Sequence, residues 1–155
     1  MVRLQNVLIS LEKFEEHMSR LYAKFEQVFA NDVEAASLFA KMGRAEKSHR
    51  DIVQFEMRMA RNLAGKNPEV DINLQEIEQG REQIENLLKS SRSPSLKEAV
   101  ELAIELENDI AELLYKDIFQ KVDPKLADLV NSMLKEEEEH RQDLASFARR
   151  RGIAW

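Results

Sequence analysis

From Leu4 to Phe29 the apolar residues fall at Leu4, Leu8, Leu11, Met18, Tyr22, Phe25 and Phe29, in steps that gather them on one side of a helix. The stripe has one gap, at position 15, and a glutamate fills it. Asn31 stands three residues before Glu34, a spacing that lets a side chain cap a new helix while a carboxylate reaches back. A second helix is therefore predicted from about residue 32 to Leu63, with the stripe Ala36, Phe39, Met42, Glu46, His49, Val53. Gly65 ends it and Pro68 prevents its continuation. A third helix starts at Pro94 or Ser95, since proline suits a first turn and Ser95 with Glu98 offers a capping box. Its stripe is Val100, Ala103, Glu107, Ile110, Leu114. Asp123 and Pro124 mark a stop and restart, after which a fourth helix carries Leu126, Val130, Met133, Glu137, His140, Leu144 and Phe147 on one face.

The stretch from Gly65 to Ser95 is the least regular, and the sequence predicts a connection there with a short helix near Gln83 to Leu88. So long a connection needs a mechanical reason. Helices of about 28 residues are roughly 42 Å long, so a chain returning to the far end needs about 12 or more extended residues. The short turns near residues 31 and 123 make antiparallel hairpins of helices 1 and 2 and of helices 3 and 4. The expected fold is all-α: an antiparallel four-helix bundle, one domain over residues 1–155, with a long crossover between helices 2 and 3 at about 65–95. Composition agrees, because only four glycines and three prolines interrupt a chain that is 43% hydrophobic and 34% charged.

The net charge of −6 argues against a phosphate-backbone partner, and no nucleic-acid role is expected. With no cysteine, disulfides, thiolate metal sites and Cys-x-x-Cys iron centres are excluded on these residues. The first residues carry Arg3, Gln5, Asn6 and Glu12 in place of an apolar leader, and nowhere do 18 apolar residues run together, so a soluble cytoplasmic protein away from membranes is the expectation.

The candidate chemistry lies where charged residues interrupt the stripes. Residues three apart on a helix differ by about 60° and 4.5 Å, so Glu46 with His49, and Glu137 with His140, can each offer an oxygen and a nitrogen to one ion. A lone Glu-x-x-His in a Glu-rich helical chain is weak; two, each on its own apolar stripe, are far more specific. Glu15 to Glu46 spans 31 residues and Glu107 to Glu137 spans 30, with a histidine three further on each time, so the two hairpins resemble copies of one unit. Turning four carboxylates into a core would cost several kcal/mol per uncompensated charge. Two divalent ions would balance Glu15, Glu46, Glu107 and Glu137, with His49 and His140 filling further positions, a ligand pattern known from dimetal helical bundles. Carboxylates with two imidazoles suit iron, while manganese or zinc can occupy such a site.

The sequence resembles the rubrerythrin branch of the ferritin-like superfamily. The matching pieces are FEEHMSRLY with Glu15 and Tyr22, AEKSH with Glu46 and His49, AIELENDIAELLY with Glu107, and EEEH with Glu137 and His140. The resemblance implies a ferritin-like bundle holding two irons, bridged by Glu46 and Glu137 and bound terminally by Glu15 and Glu107 with the histidines. It implies an oxidoreductase reducing hydrogen peroxide or dioxygen, with Tyr22 as a phenol close to the metals. Three features depart from the family pattern. No Cys-rich iron domain is present, so electrons would come from a separate donor; Ile104 stands where peroxidases of the family place another glutamate; and Tyr115 falls eight residues after Glu107, leaving the core position to Leu114. A ferritin-like protein that oxidises and stores iron is the alternative, and a bundle merely stabilised by metal is a third. A homodimer or larger homo-oligomer is expected.

Other conspicuous residues have plainer readings. Met18, Met42 and Met133 are expected to fill the core, His17 to be exposed, and Glu136 to Glu139 to be a solvated run with only Glu137 in phase. Gly43, one turn before Glu46, either eases helix packing or opens space beside the ligands. Arg149 to Arg151 complement the negative end of the last helix, with a docking role for this tail and Trp155 as the alternative.

Overall fold

A computed structural model describes residues 2–62, 69–108 and 127–153. Its contacts divide the chain into two compact units, Met1–Ser90 and Ser91–Trp155. Among the described residues there are five helices and one pair of two-residue strands.

In the first unit, β1 (Val2–Arg3) leads straight into α1 (Leu4–Val28), and α2 (Val33–Asn62) follows after a tight turn. The turn is closed by the Asp32 amide bonding to the Phe29 carbonyl at 2.9 Å. The cap of α2 is Asp32, whose Oδ1 accepts from the Ala35 amide at 3.2 Å, and not the predicted Asn31. Both residues suit an N-cap; the turn places Asp32 next to the first helical residue, and that position decides between them.

β2 (Glu69–Val70) pairs antiparallel with β1, Val2 opposite Val70 and Arg3 opposite Glu69. The chain then forms α3 (Leu74–Lys89), a 16-residue helix where the sequence suggested only a short one at 83–88. Asn73 caps α3 by accepting from the Gln75 amide at 3.0 Å. Ser10 of α1 donates to Glu78 near the start of α3, and Lys24 of α1 donates to the Leu87 carbonyl near its end, so α3 runs in the same direction as α1. The predicted crossover is thus itself mostly helix, carried back along the flank of α1. Its stripe is narrow, with Ile77, Gly80 and Ile84 buried, because it sits on the outside of the hairpin.

This second partner explains why α1 buries more than its predicted stripe. Leu4, Leu8, Leu11, Met18, Tyr22 and Phe25 are buried as expected; Val7, Phe14 and Leu21 are buried as well, and they lie between that face and the residues bonded to α3. Phe25, Phe29 and Phe39 form an aromatic cluster with Tyr22 across α1 and α2, Phe25 meeting Phe39 edge-on at 5.1 Å. Gly43 marks the close approach of the two helices: a Cβ there would meet the Tyr22 Cβ at 3.5 Å.

In the second unit, the predicted third helix is α4, described over 96–108, and the fourth is α5 (Ala127–Arg150). Ser95 caps α4 by accepting from the Glu98 amide at 3.1 Å, and its hydroxyl donates to the Glu98 carboxylate at 3.3 Å. Ala99, Val100, Ala103 and Leu106 of α4 are buried, as are Met133, Leu144, Phe147 and Ala148 of α5. At the end of α5, Gly152 takes a left-handed φ of 65° and the Ile153 amide reaches back to the Ala148 carbonyl at 2.8 Å, satisfying carbonyls that the last turn leaves open. Arg151 stacks over Phe147, 4.9 Å from the ring centre. The expected boundaries at Leu63, Gly65, Pro68 and Asp123 to Pro124, the positions Ile110, Leu114, Tyr115 and Leu126, the side chain of Val130, and Trp155 lie outside the described residues. No helix among the described residues is long and apolar enough to cross a membrane.

Candidate metal centre

The α1/α2 hairpin assembles one cluster by register. Glu15 sits on the core stripe of α1, and Glu46 and His49 are one turn apart on that of α2. Each offers one ligand atom, and the three atoms lie within 4.8 Å of one another. None of the three residues is more than 3% exposed. His49 Nδ1 approaches Glu46 Oε2 to 3.6 Å, longer than a hydrogen bond and suited to two groups turned toward a common point.

Two carboxylates this close and this buried repel each other where water cannot screen them. A divalent cation fits the donors, two hard oxygens and an imidazole nitrogen, and would offset both charges.

In the second unit, Glu107 on α4 and Glu137 and His140 on α5 are each buried on the stripe where the sequence places them. Around them the charge run behaves as expected: Glu138 and Glu139 are exposed, Glu136 is half-buried, and Glu137 alone turns in. The exposed Glu138 carboxyl is held below the ordinary carboxylate range, chiefly by hydrogen bonding and charge from Arg141 and also by a bond from Gln142.

Tyr22 is fully buried two turns beyond Glu15, about 10 Å along the helix axis, with its ring stacked on Phe39 at 6.1 Å. His17 lies at the surface, its Nδ1 donating to the Lys13 carbonyl at 2.8 Å, and Met18, Met42 and Met133 are core residues. The sequence reading missed Glu56, which is 0% exposed and two turns beyond His49. The signal was present, since residues 46, 49, 53 and 56 continue one alternation of three and four. No histidine three residues on marks Glu56 as half of a ligand pair. Gln54 Nε2 also links α2 to Glu12 Oε1 on α1 at 3.0 Å, one turn before Glu15.

The family model described as Rubrerythrin matches residues 6–148. Comparison with curated proteins and with solved structures gives no match.

Proposed function

The chain belongs to the rubrerythrin family, and from that premise we propose that it is a diiron oxidoreductase reducing hydrogen peroxide or dioxygen with electrons from a separate donor. The observation that carries the proposal is the sealed convergence of Glu15, Glu46 and His49. A mostly helical chain with this order of elements is consistent with the ferritin-like bundle of the family. In this proposal Glu107, Glu137 and His140 would supply the remaining ligands, as the family resemblance implies.

Two irons, when bound, would supply the electrons that reduce the oxidant. The chain's own residues do the rest. Helical spacing sets Glu46 and His49 so that an oxygen and a nitrogen could meet one ion. The packed rings of Tyr22, Phe25 and Phe39 fill the α1/α2 core about two turns or more from the cluster. Peroxide reduction takes two electrons and two protons to give two waters. In this proposal those electrons come from a separate donor.

The test is elemental analysis of protein purified from its native source, followed by single-turnover oxidation of the reduced, iron-loaded protein by hydrogen peroxide. About two irons per chain with rapid reoxidation are expected, and His49→Ala and Glu15→Ala should lower the iron content. A shell-like oligomer holding many irons per chain would favour iron storage instead. Activity untouched by metal removal would leave the metal a purely structural part.

A further inference from the structure

The second unit contains a cavity of about 260 Å³, lined by Ile104 and Asn108 of α4 and by Glu138, Arg141, Gln142, Leu144 and Ala145 of α5. Its place on the helices is informative. Asn108 adjoins Glu107, Glu138 adjoins Glu137, and Arg141 adjoins His140, so three of its lining residues are chain neighbours of three proposed ligands. At about 100° per residue, Ile104 and Asn108 lie about 60° and 100° round α4 from Glu107, and Arg141 and Ala145 lie about 40° and 80° round α5 from Glu137. The cavity therefore flanks the ligand stripe on both helices, neither on it nor opposite to it.

Its lining is graded. Leu144, fully buried, with Ile104 and Ala145 makes an apolar floor, while Asn108, Glu138 and Gln142 are exposed at the rim. Arg141, only 17% exposed, spans the two levels and is tied to Glu138 through its Nη2 at 2.5 Å. Gln142 Nε2 donates to the other Glu138 oxygen at 3.3 Å. Because the guanidinium and the carboxylate are paired, the rim carries little net charge to draw in an anion. The volume is many times what one water needs, so a molecule the size of peroxide is not excluded by bulk.

We infer that this cavity is the way in for the oxidant, admitting small neutral molecules such as hydrogen peroxide or dioxygen. The inference rests on the diiron reading above. Arg141 and Glu138 act as positioning residues at the mouth, holding each other aside from the apolar floor. Their ion pair keeps the rim polar and wet, and the floor of Leu144 and Ala145 offers a neutral solute nothing to bind tightly.

The test uses nitric oxide, a small neutral probe, mixed with the reduced, iron-loaded protein in a stopped-flow spectrometer. Ala145→Phe fills the floor and Gln142→Trp, at an exposed rim position, obstructs the mouth without demanding core repacking. Each should slow binding by about tenfold while the iron content stays that of wild type. Iron-loaded variants whose binding rates equal the wild-type rate overturn the access route alone. Wild-type protein that retains no iron overturns the diiron reading and the route with it, and the iron content tells the two failures apart.

Discussion

Replacing Glu15 by leucine should reverse its effect on stability according to whether metal is bound. Glu15 is sealed in the core, and its ligand atom lies within 4.8 Å of those of Glu46 and His49. In chelated protein, two carboxylates share that space with no divalent ion between them. Leucine has a similar volume and relieves the repulsion between two buried carboxylates, a gain smaller than the roughly 1 to 4 kcal/mol seen when a whole buried ion pair is replaced by hydrocarbon. For a chain of this size each kcal/mol moves the melting temperature by about 2 to 4 °C, so a rise of a few degrees is expected in the presence of chelator. With metal the balance is opposite. Bound ion stabilises wild type by about 4 kcal/mol when its free concentration is a thousand times its dissociation constant, and the variant forfeits much of that. The assay is thermal unfolding by circular dichroism of both proteins, each with chelator and with excess Fe(II) under anaerobic conditions. Glu15→Leu that destabilises equally in both conditions would refute the reasoning, because Glu15 would then act within the fold and not through a metal.

Other perturbations follow from the packing. Gly43→Ala should raise stability by about 1 kcal/mol, because alanine is the better helix former and the added Cβ meets Tyr22 at an ordinary contact distance of 3.5 Å; a lowered melting temperature would show that the hairpin cannot take it. Asp32→Ala should cost about 1 kcal/mol in chemical denaturation by removing the cap of α2, whereas Asn31→Ala should be close to neutral. Phe39→Ala should cost about 3 to 5 kcal/mol, since it empties the centre of the aromatic cluster. The Glu78 carboxyl is raised by burial, but hydrogen bonds from Arg81 and Ser10 and the Arg81 charge outweigh this and hold it below its ordinary value. Its contribution is therefore present above the ordinary carboxylate range and is lost as pH falls through the depressed value. Glu78→Gln should lose a few tenths of a kcal/mol at neutral pH, screened by solvent, and nothing in strong acid; thermal melts at the two pH values check it.

The parts of this protein that were legible in the sequence are those where one physical requirement dominates. The α1 stripe and its interruption at Glu15 could be read directly, as could Glu46 with His49, because burial imposes periodicity and charges out of place stand out. The Ser95 cap was legible for a similar local reason. What escaped depended on distant partners. α3 lacks a broad stripe, since it covers only the side of α1, and its anchoring by Lys24 and Ser10 joins residues more than 60 apart in sequence. The pairing of Val2 with Val70 joins two strands of only two residues each, too short for any alternation to register. Glu56 was hidden by its own chemistry: a glutamate on a Glu-rich chain looks like a surface charge until the core is seen to close over it.

The position of α1 has a consequence for how motion is distributed. With α2 along one side and α3 along another, α1 is shielded by protein over an unusually large share of its circumference. Its central amides should therefore exchange with deuterium only when the surrounding hairpin opens as a unit, while α3, attached chiefly along one narrow strip, should label first and peel away without breaching the core.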